Sequence, residues 1–402
     1  MKKNLLLAGL FVMGLGAAMT SCSDNDDPEN GGNNGGGGTE QNDAQHLEYT
    51  SENAAAWGNY AVNVAMLLSN DSEALYEAWE NDFAEAFKSH NPSSGYKSAN
   101  DCVQQIIEGC IDIANEVGTA KIGEPYDYWK AGQTTQAVYA VESWYSWHSR
   151  DDYKNNILSI ANSMVGVRMA SNPNDFDYQS IIGDMNATPS IIAECMKNNA
   201  TRVAAINVWK DVCAAWTAID DIPQPFRNNI GSAETVEAME ACANLVASLE
   251  VLKGLIGTNL SEDDCQAIVN QFVDVVVVPT YADLVTKNKE LLSAVKALQT
   301  KPSDNAFATA CAAWLAARHP WETSEAFLFG PVSELGLDPN MDSWPLDAEG
   351  IANLLKSQAW SDMEWSGEYD EDNEAIEAAQ SLRGFHTLEF LLFKDGKPRT
   401  VK

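Results

Sequence analysis

The sequence predicts an all-α fold, two antiparallel helical-bundle domains packed together with a cleft between them. Apolar residues recur at spacings of three and four almost everywhere beyond about residue 45. Alternating strand patterns are nearly absent. The 402 residues, 45% of them hydrophobic, supply enough apolar surface for two or three cores without disulfide staples.

The elements follow in chain order. Residues 51–69 place Ala54, Trp57, Ala61, Val64 and Leu68 on one helical face, and Ser72-Glu73-Ala74-Leu75 has the form of a cap for a second helix reaching Phe87. Further helical windows cover roughly 100–117, 150–168, 188–219, 233–256, 280–299, 304–317, 321–328, 347–356 and 373–393. The β-branched run Val275 to Val278 ends at Pro279, a residue suited to a helix start, so it reads as packed helix or linker. Asp347 is placed to cap the helix that follows it. The expected division is a bundle over 45–270 and a second over 271–402. A faint echo, Val212-Cys-Ala-Ala-Trp216 and Ala310-Cys-Ala-Ala-Trp314, fits two related bundles.

The first residues read as targeting rather than fold. Lys2 and Lys3 precede an apolar run, Leu5 to Ala18, that is shorter than the ~20 residues a bilayer span needs. Met19-Thr20-Ser21-Cys22 then completes a bacterial lipoprotein signal over residues 1–21, with the Cys22 thiol as the lipidated group. Ser23-Asp24-Asn25-Asp26-Asp27 resembles the acidic export signal of surface lipoproteins in Bacteroidetes. Residues 22–44, with glycines and asparagines from Gly31 to Gly38, form a flexible tether. The expected place is the outer membrane, held by the lipid anchor and exposed at the cell surface, with its periplasmic face as the alternative.

Acidic residues outnumber basic ones 58 to 25, for a net charge of −33. That excludes a nucleic-acid binder, which needs Lys and Arg to replace phosphate counterions. It leaves open a solvated acidic surface or a place where cations collect. Beyond Cys22 there are seven cysteines, none in a C-x-x-C pair, which suggests buried small hydrophobes rather than a zinc ribbon or redox motif.

Of five histidines, only His386 sits in a strong constellation, Gly384-Phe-His386-Thr-Leu-Glu389. Positions i and i+3 share a helical face, so the imidazole and the Glu389 carboxylate project side by side. Such a pair can ligate one metal ion, or one group can orient the other for proton transfer. It can also be a core histidine bonded to its own turn, because the surrounding residues are unusually apolar. The H-E-x-x-H spacing of zincin proteases is not present. A second constellation runs from Arg318 through Trp321, Glu322 and Glu325 to Pro331, and can be a capped surface helix with an Arg318–Glu322 pair. Met341 to Asp347, with Trp344, reads as a loop.

Three of these segments in order, Arg318-His-Pro-Trp-Glu-Thr-Ser-Glu-Ala-Phe-Leu-Phe-Gly-Pro331, Trp344-Pro-Leu-Asp347 and Gly384-Phe-His-Thr-Leu-Glu389, resemble the imelysin family with its G-x-H-x-x-E signature. Val141-Glu-Ser-Trp-Tyr-Ser-Trp-His-Ser149 and other stretches extend the resemblance over nearly the whole mature chain. The order of segments resembles a circular permutation of the family pattern, since Val278-Pro-Thr-Tyr281 and the H-x-x-E helix come late. The resemblance implies His386, Glu389 and Glu325 as metal ligands. It implies pocket or outer positions for Arg318, Trp321, Glu322, Trp344, Asp347, Gly384 and Ser149. One imidazole with carboxylates suits a divalent ion, iron foremost, with zinc or manganese as alternatives. The function implied is a surface lipoprotein binding that metal during uptake, alongside metal-uptake components. The alternative is a metal-dependent peptidase of the insulin-cleaving membrane protease class. A carbohydrate- or peptide-binding module is suggested only by the 12 tryptophans, which fit bundle cores equally well.

Overall fold

The structure, a computed structural model, describes residues 44–176 and 188–401. The expected signal, Cys22 and nearly all of the tether lie outside the described residues. The chain is all-α as predicted, with one short hairpin among the described residues, β1 (Phe393–Lys394) against β2 (Lys397–Pro398), antiparallel with Phe393 opposite Pro398.

Helix α1 (Ala54–Ala78) absorbs both expected N-terminal helices and continues through a wide π-type turn, Trp79–Phe83, into Ala84–Lys88. Ser72 does not cap a second helix, because its hydroxyl is buried and donates back to the Ser69 carbonyl at 2.9 Å. The chain then forms α2 (Ala99–Glu116), α3 (Ser149–Val165), α4 (Arg202–Asp220), α5 (Ala233–Asn259) and α6 (Glu262–Gln271). The predicted 188–219 helix is two pieces, Ile191–Lys197 and α4.

No chain break occurs at the expected boundary near 270. A π-type turn, Phe272–Val277, carries α6 directly into α7 (Val278–Thr300), so the valine run is packed helix. In a regular helix the Pro279 ring would meet the carbonyl one turn earlier, and the wider turn before it relieves that clash. Helix α8 (Asp304–Glu322) runs through Pro320, past the predicted end at residue 317. Residues 325–327 form one tight turn, and α9 (Leu337–Asp342) and α10 (Ala348–Ser357) follow. The predicted 373–393 helix is interrupted: Gly384, at φ +94°, starts α11 (Gly384–Leu392) after a separate Glu374–Gln380 helix.

The described residues form one compact unit around a continuous apolar core. Helix membership does not follow the expected 45–270 and 271–402 halves. Helix α1 packs on α7 and α11, and α7 on α8, whereas α2 to α6 form the second group. The two groups meet where α3 crosses α8 and α2 crosses the 325–327 turn. There the backbones touch closely, since a Cβ on Gly109 would lie 2.2 Å from the Ala326 carbonyl oxygen. All seven cysteines in the described residues are free thiols, six of them buried, as small apolar groups would be.

Candidate metal centre

The site lies at that crossing and is assembled from four separated parts of the chain. Helix α11 projects His386 and Glu389 from one face, one turn apart, and both are 0% exposed. The Glu389 Oε2 oxygen lies 3.2 Å from His386 Nδ1, while its Oε1 accepts from the Ser146 backbone N–H at 2.7 Å. Glu389 therefore fixes the imidazole and ties α11 to the loop over residues 141–149. In that loop Ser143 and Trp147 adopt left-handed conformations, φ +52° and +62°, without glycine. Strain of this kind collects at functional sites because the surroundings over-determine it. The Ser149 hydroxyl closes the loop by donating to the Glu142 carbonyl at 2.5 Å.

That closure turns the Glu142 side chain inward. Its Oε1 lies 3.2 Å from His386 Nε2, and Asp342 Oδ1, at the end of α9, lies 3.1 Å from the same nitrogen. Ligand atoms of Glu142, Asp342 and His386 all fall within 4.8 Å of one another. Trp321 holds Asp342 by donating its indole N–H to Oδ2 at 2.6 Å, and the Trp344 ring stands edge-on to the imidazole at 4.8 Å between centroids. Gly384 makes the approach of α11 to α9 feasible, since a Cβ there would lie 2.6 Å from the Met341 carbonyl oxygen.

Arg318 on α8 joins the parts. Its guanidinium is 0% exposed and pairs with Glu142 at 2.9 Å, Glu322 at 2.6 Å, Asp152 at 3.4 Å and, more closely, Asp342. The predicted Arg318–Glu322 pair exists, but in the core rather than on a surface helix, because α3 and α11 cover it. Asn156 donates to Glu322 Oε2 at 2.5 Å. Lys121, turned inward by a π-type turn at Val117–Lys121, reaches Glu142 at 3.1 Å.

Burial acts on every charge here, and the neighbours decide which way each moves. For His386, burial is the largest influence and Arg318 works with it, both against the charged form. The facing Asp342 and Glu142 carboxylates outweigh them and hold the imidazole well above its ordinary value. Glu142 is raised by burial but brought well below the carboxylate range by Lys121, His386 and Arg318. Asp342 likewise ends at about 2, burial being outweighed by Arg318 and His386. Glu322 and Glu325 move the other way: burial, with too little cationic compensation, pushes both well above their ordinary values. Asp338, half-buried beside them, is pushed up to about 7 by loss of water and by Asp342.

The predicted residues are thus divided. His386, Glu389, Arg318, Trp321, Glu322, Trp344, Gly384 and Ser149 converge here. Glu325 sits in a second acidic group, its ligand atom within 4.8 Å of those of Glu322 and Asp342, rather than in the group of His386. Asp347 is an exposed N-cap, accepting from the Gly350 N–H at 2.8 Å. Glu142 and Asp342 were not singled out by sequence. The stretch containing Glu142 stood out only through resemblance, and Asp342 lay in a segment read as loop.

The donor types suit an intermediate divalent metal, at a point where Arg318 Nη2 lies 3.3 Å from His386 Nε2 and 2.9 Å from Glu142 Oε1. An imidazole nitrogen and two carboxylates converge, and the other ring nitrogen is held by a carboxylate, the arrangement that orients metal-bound histidines. Buried oxygens without hydrogen-bond partners, Asp152 Oδ1 and Asn156 Oδ1, add to the negative surroundings.

A family model described as imelysin matches residues 32–252 and 277–402. A crystal structure of an imelysin peptidase from Bacteroides ovatus is 50% identical, covering 90% of this chain and all of that one with a TM-score of 0.82. Iron-regulated protein A of Synechococcus elongatus is 35% identical over 127 residues, which are 32% of this chain and 31% of that protein. The chain therefore matches about a third of that relative's length.

Proposed function

The chain belongs to the imelysin family, and from that membership we propose that it binds a divalent metal ion, iron foremost, through Glu142, Asp342 and His386. One observation carries the reading: three ligand atoms of the types that suit such an ion converge within 4.8 Å in the core, on an imidazole oriented by Glu389. The iron-regulated relative supports iron as the ion. Imidazole and carboxylates leave zinc or manganese as the alternatives.

Burial bears on the choice between cargo and catalysis. His386, Glu389, Arg318 and Glu322 are 0% exposed, out of contact with a polypeptide backbone that must lie against the catalytic groups. A peptidase would also need a base beside a metal-bound water, and Glu142, Asp342 and Glu389 already face the imidazole. We therefore read the metal as cargo. With Cys22 lipidated, the protein would stand on the outer membrane at the cell surface and deliver the ion to an uptake system, its acidic exterior drawing cations inward.

The test combines metal analysis of the purified protein with a peptide-library assay. The reading expects His386→Ala to lose the iron held by Glu142, Asp342 and His386, and expects no cleavage by either protein. Chelator-sensitive cleavage that disappears with His386→Ala would replace it with the peptidase reading.

A further inference from the structure

We propose that the cluster holds two divalent cations, the second bound by Glu322, Glu325 and Asp342, with Asp342 shared between them as a bridging carboxylate. This rests on the metal-binding reading above and adds an ion to it. The ligand atoms of these three carboxylates lie within 4.8 Å of one another, and Asp342 belongs to both groups. Each carboxylate oxygen carries two lone pairs, so Arg318 on Oδ1 and the Trp321 indole on Oδ2 each leave one for an ion.

Two further observations point to a ligand. Glu325 is 8% exposed and makes no direct ion pair or hydrogen bond among the described residues, Lys121 acting on it only from a distance. A buried carboxylate in that position needs a cation or a proton. Asn156, 0% exposed, gives its amide nitrogen to Glu322 Oε2, and its amide oxygen, on the same carbon and so beside that carboxylate, has no partner.

Charge sets the number of ions. Six buried carboxylate side chains, Glu142, Asp152, Glu322, Glu325, Asp342 and Glu389, share two fixed cations, Arg318 and Lys121. With a neutral imidazole, and leaving aside the half-buried Asp338, the excess is four negative charges, more than one divalent ion matches. Glu and His side chains on facing helices are a recurrent way to hold carboxylate-bridged ion pairs in bundle cores.

Anaerobic titration of the full chain with Fe²⁺, read by calorimetry and metal analysis, tests this. Two ions per chain are expected for the wild type, one for Glu325→Gln and one for His386→Ala. Mn²⁺ provides an independent readout, a spin-coupled resonance signal in the wild type that Glu325→Gln converts to that of an isolated ion. One ion in the wild type that depends on His386 would overturn the second site and leave the metal-binding reading standing. Two ions unaffected by Glu325→Gln, or joint loss of both, would also overturn it. No uptake of either metal would remove both claims.

Discussion

Glu142 Oε1 lies 3.2 Å from His386 Nε2, although 244 residues separate them along the chain. The contact completes the proposed ligand set, and it depends on the 141–149 loop being bonded to α11 through Ser146 and Glu389. The proposed metal site is therefore a property of how the two helix groups meet rather than of the H-x-x-E motif alone.

Arg318 is the first point at which this can be probed. It is fully buried against four carboxylates, so Arg318→Met leaves them facing one another with the cation gone. Breaking a buried pair from one side costs about 3–5 kcal/mol, and that loss is expected in urea unfolding of chelator-treated protein. Fe²⁺ should restore part of it. An unchanged midpoint would show that the guanidinium does not hold the cluster together.

Gly384→Ala tests the close approach of α11 to α9. The φ of +94° and the 2.6 Å contact with the Met341 carbonyl predict a loss of about 1–3 kcal/mol, together with weaker Fe²⁺ binding as His386 moves from Asp342. Thermal unfolding and titration of the variant check both. Wild-type values for the two would contradict the placement of α11.

The pH dependence follows from Glu322, Glu325 and Asp338, whose folded values are raised, Asp338 to about 7. A raised carboxyl binds its proton more tightly folded than unfolded. Its contribution is complete below the unfolded value and lost as pH rises through the folded one. His386, also raised, acts in the same direction. Glu142 and Asp342 act oppositely, their contributions lost only as pH falls toward their lowered folded values, about 2 for Asp342. Chelator-treated protein should therefore lose stability between about pH 4 and about pH 7. Fe²⁺ competes with those protons, so the stabilisation it gives should grow across the same window. Melting curves with and without Fe²⁺ measure this, and an iron effect that is greatest at the acid end would contradict it.

Sequence made some of this legible and not the rest, for physical reasons. The side-by-side placement of His386 and Glu389 follows from helical geometry over three residues, and so does the Arg318–Glu322 pair. Their depth does not, because it depends on α3 and α11 closing over α8. Glu142 carries no local signal: its partners are distant, and its loop turns through left-handed Ser143 and Trp147 where glycine would ordinarily mark the bend. The end of α8 lies beyond the predicted residue 317, since Pro320 lowers the odds of a helix continuing but tertiary packing can carry the chain through.

The most direct measurement is Fe²⁺ affinity of Glu142→Gln beside the wild type, under anaerobic conditions at neutral pH. The substitution keeps the shape of the side chain and removes the charge facing His386. Loss of even an outer partner typically weakens a metal by about 10–100-fold, so removing a direct ligand is expected to cost more than about 100-fold. Wild-type affinity in Glu142→Gln would contradict the assignment of Glu142, Asp342 and His386 as the metal centre.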